Sequence, residues 1–257
     1  MSWSPQQYLQ FEDERTRPAR DLLNALPEFN PRSAMDLGCG PGNSTALLAG
    51  RYPEARINGL DSSPEMIAAA RVRLPQARFE VSAIESWTDP DPYDLILANA
   101  VLHWVPNHKE LLPALVSKLS RPGVLAIQMP DNLAEPAHRL MREIAQAGPW
   151  AAKLSSAAAE RTELLTVDEY ERRLRPHCSH IEIWRTTYYH RMARGAADIV
   201  EWFKGSGLRP YLAPLNPEER ASYLERYTAA LGQIYPHDAE GGVRLPFPRL
   251  FIAVIRS

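Results

Sequence analysis

Three glycines at alternate positions, directly after a short apolar stretch, are the feature of this sequence best suited to ligand chemistry. They lie in the segment Asp36–Ser44 (DLGCGPGNS), and the pattern then becomes helical through residues 46–48. This pattern predicts a strand, a tight turn and a helix. Because glycine tolerates positive φ and has no side chain, the turn lets a flat polar ligand approach the backbone closely. We therefore predict a small-molecule site at Gly38, Gly40 and Gly42.

An acidic residue follows this turn at the distance expected of a ribose-binding group. Asp61 closes the next apolar stretch, residues 56–60. An acid about 20 residues after a glycine turn is positioned to accept hydrogen bonds from ribose hydroxyls. Asp36, in front of the glycines, disfavours a phosphate and suits a ligand that carries an ammonium group. The two acids therefore predict a nucleoside ligand without phosphate.

The spacing of the glycines separates this turn from other nucleotide sites. It is G-x-G-x-G, whereas dinucleotide sites use G-x-G-x-x-G. The segment resembles the cofactor motif of class I S-adenosylmethionine-dependent methyltransferases. The resemblance implies binding of S-adenosyl-L-methionine and release of S-adenosyl-L-homocysteine. It assigns to the cofactor the residues Asp36, Gly38, Gly40, Gly42, Asp61 and Ser62.

Two later loops complete the cofactor site that this resemblance implies. After the third predicted strand, the backbone N–H of Ile84 is expected to meet a ring nitrogen of the adenine. Members of this class often carry an acid at the position of Ala83, which this chain lacks, and Ser82 or Glu85 are the substitutes we consider. After the fourth predicted strand, Asn99 is assigned to the cofactor.

Motifs in the rest of the chain narrow the resemblance to one family. The segments QMPDN (128–132), WRTTYYH (184–190) and FPRLFI (247–252) resemble the trans-aconitate methyltransferase family. The resemblance implies methyl transfer to one carboxylate of trans-aconitate, with another small acid or metabolite as the alternative acceptor. A carboxylate is ionised at neutral pH, so the reaction needs no base and we predict no catalytic residue.

The other carboxylates of such an acid need hydrogen-bond donors, for which arginine and tyrosine are suited. Side chains alternate along the predicted strand 181–190, and the sequence does not decide whether the face with Tyr188 or the face with Arg185 and Tyr189 lines the pocket. His103 is interpreted as a polar lining residue, with a general base as the alternative. The predicted acceptor residues are His103, Trp104, Arg185, Tyr188, Tyr189 and Arg209, with Arg15, Arg17 and Arg249 behind them.

The elements that must position these residues alternate as strand and helix from residue 33 to residue 129. This alternation predicts a doubly wound α/β fold with a parallel sheet. The predicted strands lie near 33–37, 56–60, 77–81, 93–99 and 123–129, and the predicted helices near 43–51, 64–73 and 108–119. With the strands 181–190 and 246–257, the resemblance implies a seven-stranded, mostly parallel, Rossmann-like sheet.

The rest of the chain is expected to surround this sheet in a single domain, 1–257. Residues 1–30 are predicted to form an N-terminal lid helix, and residues 31–130 the cofactor-binding core. Helical cap insertions are predicted at 131–180, with helices near 134–148, 150–160 and 166–175, and at 191–245, with helices near 196–206 and 216–234.

Composition excludes several other classes. The 29 basic and 31 acidic residues give a net charge of −2, so no nucleic acid or anionic membrane is predicted as partner. The two cysteines lack metal-ligand spacing, and no metal site is predicted. No leader pattern or long apolar segment occurs, and a cytoplasmic enzyme is predicted. The sequence leaves the oligomeric state open, and a monomer is plausible.

Two functions from other classes compete with the methyltransferase. A nicotinamide or flavin oxidoreductase is disfavoured by the glycine spacing and by Asp36. A non-catalytic S-adenosylmethionine sensor has the same cofactor motif and differs only in lacking an acceptor.

Overall fold

The computed structural model describes residues 12–257, so the first part of the predicted N-terminal helix lies outside the described residues. The helices are, in chain order, α1 (Glu12–Ala25), α2 (Asn43–Arg51), α3 (Pro64–Arg73), α4 (His108–Ser117), α5 (Pro136–Ala147), α6 (Val167–Leu174), α7 (Ala196–Lys204), α8 (Arg209–Leu212) and α9 (Pro217–Ile234). The strands are β1 (Ser33–Leu37), β2 (Arg56–Asp61), β3 (Arg78–Val81), β4 (Tyr93–Asn99), β5 (Leu119–Pro130), β6 (Cys178–Met192) and β7 (Val243–Arg256).

The strands form one seven-stranded sheet in the order β3-β2-β1-β4-β5-β7-β6. The pairs β1–β2, β1–β4, β2–β3 and β4–β5 are parallel. Every residue of β1 is buried, as is typical of a parallel strand covered on both faces. This topology confirms the predicted doubly wound, mostly parallel α/β fold.

The register of the parallel strands brings their carboxyl ends to one edge. Leu37 at the end of β1 pairs with Leu60 of β2 and with Ala98 of β4. Asp61 at the end of β2 pairs with Val81 at the end of β3. The loops that follow these strands therefore begin side by side, where open α/β sheets bind ligands.

The chain separates into two compact units. The sheet unit consists of the described residues up to Pro130, together with Leu164–Thr186 and Leu250–Ser257. The helical unit consists of Asp131–Glu163 and Thr187–Arg249. The sequence interpretation placed residues 164–180 in the first cap insertion, but they group with the sheet unit. The reason is that α6 packs on α4 and contributes Tyr170 and Leu174 to the main core.

One predicted helix is wrong. A helix is predicted near residues 150–160, but only Ala157–Glu160 form a short 3-10 helix. Local turns replace the continuous helical ladder: Ala151 donates to the carbonyl of Gly148, and Ala157 to that of Leu154. Trp150 is anchored instead by its side chain, whose Nε1 donates to the carbonyl of Ile144 at 3.0 Å. Side-chain packing has overridden local helix propensity here.

Membrane-spanning helices and metal clusters are both absent from residues 12–257. Within these residues, no helix has the length and apolar character needed to cross a membrane. The same part of the chain contains no group of three or more histidine, cysteine or acidic side chains that could hold a metal ion.

Candidate functional site

A cavity of about 260 Å³ lies in the sheet unit, among the loops that follow β1, β2, β3 and β4. Its position at the carboxyl ends of the parallel strands is the one expected of a ligand site in this fold class. Its lining is contributed by Gly38, Gly40, Leu60, Asp61, Ser62, Met66, Ser82, Ala83, Ile84, Glu85, Asn99, Ala100, Val101, Trp104 and Val105.

Gly38 and Gly40 have positive φ, 64° and 54°, but they serve the turn in different ways. A Cβ atom on Gly38 would lie 2.2 Å from Cγ2 of Val101, so this glycine is required by protein packing. A Cβ atom on Gly40 would meet no atom of residues 12–257 within 4 Å. Gly40 therefore leaves open space beside the cavity, which allows a ligand to approach the backbone.

Asp61 holds the glycine turn in place. Its carboxylate accepts hydrogen bonds from the backbone N–H of Gly40 at 3.0 Å and from that of Ser63 at 2.9 Å. Burial raises the pKa of this carboxyl, and the two backbone donors oppose the rise. Each oxygen has a second lone pair available to a hydroxyl donor in the cavity.

Asp36 does not line the cavity, in contrast to its predicted contact with a ligand ammonium group. It is fully buried, and Oδ2 accepts hydrogen bonds from the hydroxyls of Ser44 at 2.7 Å and Thr45 at 2.6 Å. Burial raises the pKa of Asp36 to about 7. Gly42 also lies outside the lining, as the left-handed N-cap of α2. Asp36 and Gly42 therefore connect the glycine turn to α2.

The loops after β3 and β4 supply the rest of the cavity wall. Ile84 begins a short 3-10 helix, a position where the backbone N–H has no partner within the helix. Asn99 is buried, and its Oδ1 has no hydrogen-bond partner among the described residues. Ala100 has a φ of 54°, an uncommon conformation for a residue other than glycine that often marks functional sites.

The comparisons with known proteins agree with this geometry. The YcgJ protein from Bacillus subtilis has the same fold, with a TM-score of 0.61 at 12% identity over 93% of this chain and 98% of that one. A family model described as a methyltransferase domain matches residues 11–209. A trans-aconitate 2-methyltransferase from Methylobacterium nodulans is 54% identical over 255 residues, 99% of this chain and 98% of that protein. This chain belongs to the trans-aconitate 2-methyltransferase family.

A second member of the family, from Yersinia pseudotuberculosis, is 48% identical over 250 residues, 97% of this chain and 96% of that protein. The resemblance read from the later motifs is thereby confirmed, and the chain is a methyltransferase. Its cavity brings together six of the eight residues that the sequence assigned to the cofactor: Gly38, Gly40, Asp61, Ser62, Ile84 and Asn99.

The residues predicted to bind the acceptor of this family member are divided between the two units. Trp104 lines the cavity of the sheet unit. His103 is buried beside it, with a distance of 5.0 Å between the ring centroids, but does not itself line the cavity. The 3-10 helix that carries both rings is anchored by His108, whose Nε2 lies 2.9 Å from the carbonyl of Leu102.

The structure decides which face of β6 is buried. Tyr188 and His190 are 4% and 7% exposed, whereas Tyr189 is 66% exposed and Arg185 is also on the exposed face. Within the helical unit, His190 packs 4.5 Å from the ring of Trp202. Strand alternation turns Arg185 and Tyr189 away from the buried side, and their assignment as pocket anchors stays a prediction.

Of the remaining predicted arginines, two belong to the helical unit and two to the sheet unit. Arg209 begins α8 and is half-buried. Arg249 is buried, with its guanidinium 4.8 Å from the centroid of Phe247. Arg15 is buried in α1, whereas Arg17 is exposed and lies 3.8 Å from the carboxylate of Asp21.

Sequence reasoning assigned no site role to five apolar residues of the cavity wall: Leu60, Met66, Ala100, Val101 and Val105. Met66 lies three residues after Ser63, whose hydroxyl caps α3 by accepting a hydrogen bond from the backbone N–H of Met66. This capping pattern was a signal in the sequence for Met66. The first turn of α3 therefore faces the loop that carries Asp61. Ala100, Val101 and Val105 had no distinguishing pattern, because apolar residues after a buried strand are common.

Proposed function

We propose that this protein transfers the methyl group of S-adenosyl-L-methionine to one carboxylate of trans-aconitate, giving a monomethyl ester and S-adenosyl-L-homocysteine. The observation that carries the proposal is the cavity of the sheet unit in a chain of this family. A cytoplasmic location and a monomeric state remain predictions from the sequence.

The residues of the cavity fit an adenosyl amino acid. Asp61 presents a carboxylate to a ribose, and Gly40 leaves the backbone accessible. Asn99 offers a buried acceptor that lacks a partner among the described residues, which suits a ligand ammonium group. Leu60, Met66 and Ile84 supply apolar surface for an adenine ring. Among the described residues, the lining includes the acids Asp61 and Glu85 but no arginine or lysine to bind a phosphate, which disfavours a dinucleotide.

When bound, S-adenosyl-L-methionine supplies a methyl group on a cationic sulfonium sulfur. A carboxylate oxygen of the acceptor forms the new C–O bond, the S–CH3 bond breaks, and its electron pair stays on the sulfur of the neutral product. No proton is transferred, so neither His103 nor another side chain is needed as a base. The positive sulfonium and the negative carboxylate neutralise one another in this step. Water stabilises these two charges before the reaction and so raises the barrier. The protein therefore contributes by positioning the reactants and by excluding water.

The experiment is an incubation of the protein with methyl-labelled S-adenosyl-L-methionine and trans-aconitate. We expect labelled product whose label is released by base, as an ester requires. Parallel reactions with cis-aconitate, citrate, isocitrate and isopropylmalate rank the acceptors. A sample that binds S-adenosyl-L-homocysteine but labels none of these acids above background would contradict the proposal and favour the sensor function.

A further inference from the structure

His108 is a buried, titratable side chain of the sheet unit that the proposed methyl transfer does not use. It begins α4, and the residue is only 3% exposed. The carbonyl of Leu102 lies 2.9 Å from Nε2 of the ring, and the hydroxyl of Tyr170 lies 2.7 Å from Nδ1. Both ring nitrogens are therefore satisfied, as is usual for buried polar groups.

These two hydrogen bonds fix the position of the proton on the ring. A backbone carbonyl can only accept, so Nε2 donates to Leu102. Burial lowers the pKa of His108 below its usual value, and hydrogen bonds with the backbone of Leu102 and Val105 oppose the change. The ring is therefore neutral at pH 7, and Nδ1 accepts a hydrogen bond from the hydroxyl of Tyr170.

The carbonyl of Leu102 belongs to a segment that forms one wall of the cavity in the sheet unit. This wall segment, residues 101–105, follows β4 and includes the 3-10 helix Leu102–Trp104. Val101, Trp104 and Val105 line the cavity, whereas Leu102 is fully buried in the main core. The shape of this wall therefore depends on how the backbone of Leu102 is held.

The hydrogen bonds inside the wall segment are local. The N–H of Trp104 donates to the carbonyl of Val101 at 2.9 Å, and the N–H of Val105 donates to that of Leu102 at 2.8 Å. Each bond closes a single 3-10 turn, whose hydrogen-bond geometry is poorer than that of an α-helix. The bond from His108 comes from another element and uses the second lone pair of the Leu102 carbonyl. It therefore ties the wall segment to α4.

The turn between the wall segment and α4 directs His108 back towards Leu102. Asn107 has a φ of 61°, a left-handed conformation that asparagine tolerates better than most residues. Its carbonyl accepts a hydrogen bond from the N–H of Leu111 at 2.9 Å at the start of α4. α6 packs on α4 and supplies Tyr170, which is fully buried. The ring of His108 is thus held by two helices while it contacts the wall segment.

A displacement of the wall segment would change the cavity in two places. Trp104 and Val105 would leave their positions in the lining. Val101 would move relative to the glycine turn, because a Cβ atom on Gly38 would lie only 2.2 Å from Cγ2 of Val101. The packing of these two residues leaves no space for the segment to move inward.

We propose that His108 is a positioning residue, which donates Nε2–H to the carbonyl of Leu102 and thereby holds Val101, Trp104 and Val105 in the arrangement that binds the cofactor. The inference rests on the proposed function, which puts S-adenosyl-L-methionine in this cavity. His108 does not line the cavity, so it acts through the wall segment and takes no part in the chemical step.

The test uses two amide variants that each keep one of the two hydrogen bonds. The amide nitrogen in His108→Gln reaches the place of Nε2 and can donate to the carbonyl of Leu102. The shorter amide in His108→Asn reaches the place of Nδ1 and can accept from Tyr170, but it cannot reach Leu102. Val116→Ala is the matched control, because it removes buried volume from the same helix.

For each protein we would measure the melting temperature, the Kd of S-adenosyl-L-homocysteine by calorimetry, and the KM for S-adenosyl-L-methionine. We expect all three variants to lower the melting temperature, since each changes a buried site. His108→Asn should raise the Kd and the KM by about tenfold or more, and His108→Gln by no more than about threefold. Val116→Ala should bind as the wild type does.

His108→Leu fills the space without a donor and gives the same comparison with His108→Gln if the asparagine variant does not fold. A folded variant without the donor that keeps wild-type affinity would overturn the inference, as would equal losses of affinity with and without the donor. Both results leave the proposed function intact. Conversely, affinity that depends on the donor, in a protein that does not methylate trans-aconitate, would support the positioning role and contradict the proposed function.

Discussion

Oδ2 of Asp61 accepts the backbone N–H of Gly40 at 3.0 Å, so the acid at the end of β2 and the glycine turn after β1 form one unit. The parallel register brings them together, because Leu37 and Leu60 pair directly before the two loops. The carboxylate of Asp61, which is predicted to bind the ribose, therefore also holds the glycine turn in place. Substitutions at Asp61 must be designed to separate the two.

We predict that Asp61→Asn weakens S-adenosyl-L-homocysteine binding by about 1.5–3 kcal/mol, since a charged acceptor of hydrogen bonds is lost. The amide keeps one oxygen for the backbone donors, so the melting temperature should fall less than in Asp61→Ala. Calorimetric titration and thermal unfolding of both variants are the measurements. If Asp61→Asn binds as tightly as the wild type, Asp61 has no role in binding the ribose.

Gly40→Ala tests whether the open space at this position is used by a ligand. The new methyl group meets no atom of the described part of the chain within 4 Å, and the positive φ costs about 1–2 kcal/mol of stability. We expect the variant to fold and to lose affinity for S-adenosyl-L-homocysteine. Gly50→Ala is the matched control, because its Cβ atom also enters open space but lies in α2. Equal affinity in the two variants would show that the ligand does not approach Gly40.

Asn99→Ala removes a buried acceptor that has no partner among the described residues. Removing an unsatisfied polar group costs little stability, whereas removing the partner of a ligand ammonium group weakens binding. We therefore predict an almost unchanged free energy of unfolding and a loss of cofactor affinity of about tenfold or more. Chemical denaturation and calorimetry measure the two quantities. A variant that loses stability but not affinity would assign Asn99 to the fold.

Asp36 gives a prediction for the pH dependence of stability. Its pKa in the folded protein, raised from 3.8 to about 7, lies above the value in the unfolded chain. Its contribution is therefore complete below about pH 4 and is lost as the pH rises towards 7. Relative to Asp36→Asn, the wild type should lose on the order of 4 kcal/mol of unfolding free energy over this range. Denaturation curves of both proteins at several pH values provide the comparison, and a constant difference would mean that Asp36 is ionised throughout.

Tyr170→Phe tests the packing of α6 on α4 within the sheet unit. The hydroxyl of Tyr170 lies 2.7 Å from Nδ1 of His108, whose Nε2 donates to the carbonyl of Leu102. Removing the hydroxyl leaves a buried ring nitrogen without a donor, so we predict a loss of about 1–3 kcal/mol of unfolding free energy. Ser155→Ala is a control, since it removes an exposed hydroxyl elsewhere. An equal stability of both variants would show that the His108–Tyr170 hydrogen bond contributes nothing.

The sequence by itself determined the sheet and the position of the cavity. Alternation of strands and helices, the glycine turn and Asp61 are local patterns, and the parallel register that follows from them brings the carboxyl ends of β1, β2 and β4 together. For this reason Gly38, Gly40, Asp61 and Asn99 were found in advance. The motifs in the later part of the chain are also local patterns, and their resemblance indicated the family.

Only the tertiary structure showed which buried polar side chains stabilise the fold and which line a cavity. Asp36 is an acid, as expected of a group that contacts a ligand ammonium. Its carboxylate instead accepts hydrogen bonds from the hydroxyls of Ser44 and Thr45. Strand alternation alone does not show which face of β6 is buried. In the structure it is the face that carries His190, whose ring packs on Trp202. His108 and Tyr170 are 62 residues apart in the sequence and carry no motif. Their hydrogen bond exists because α4 and α6 pack together, which no local pattern records.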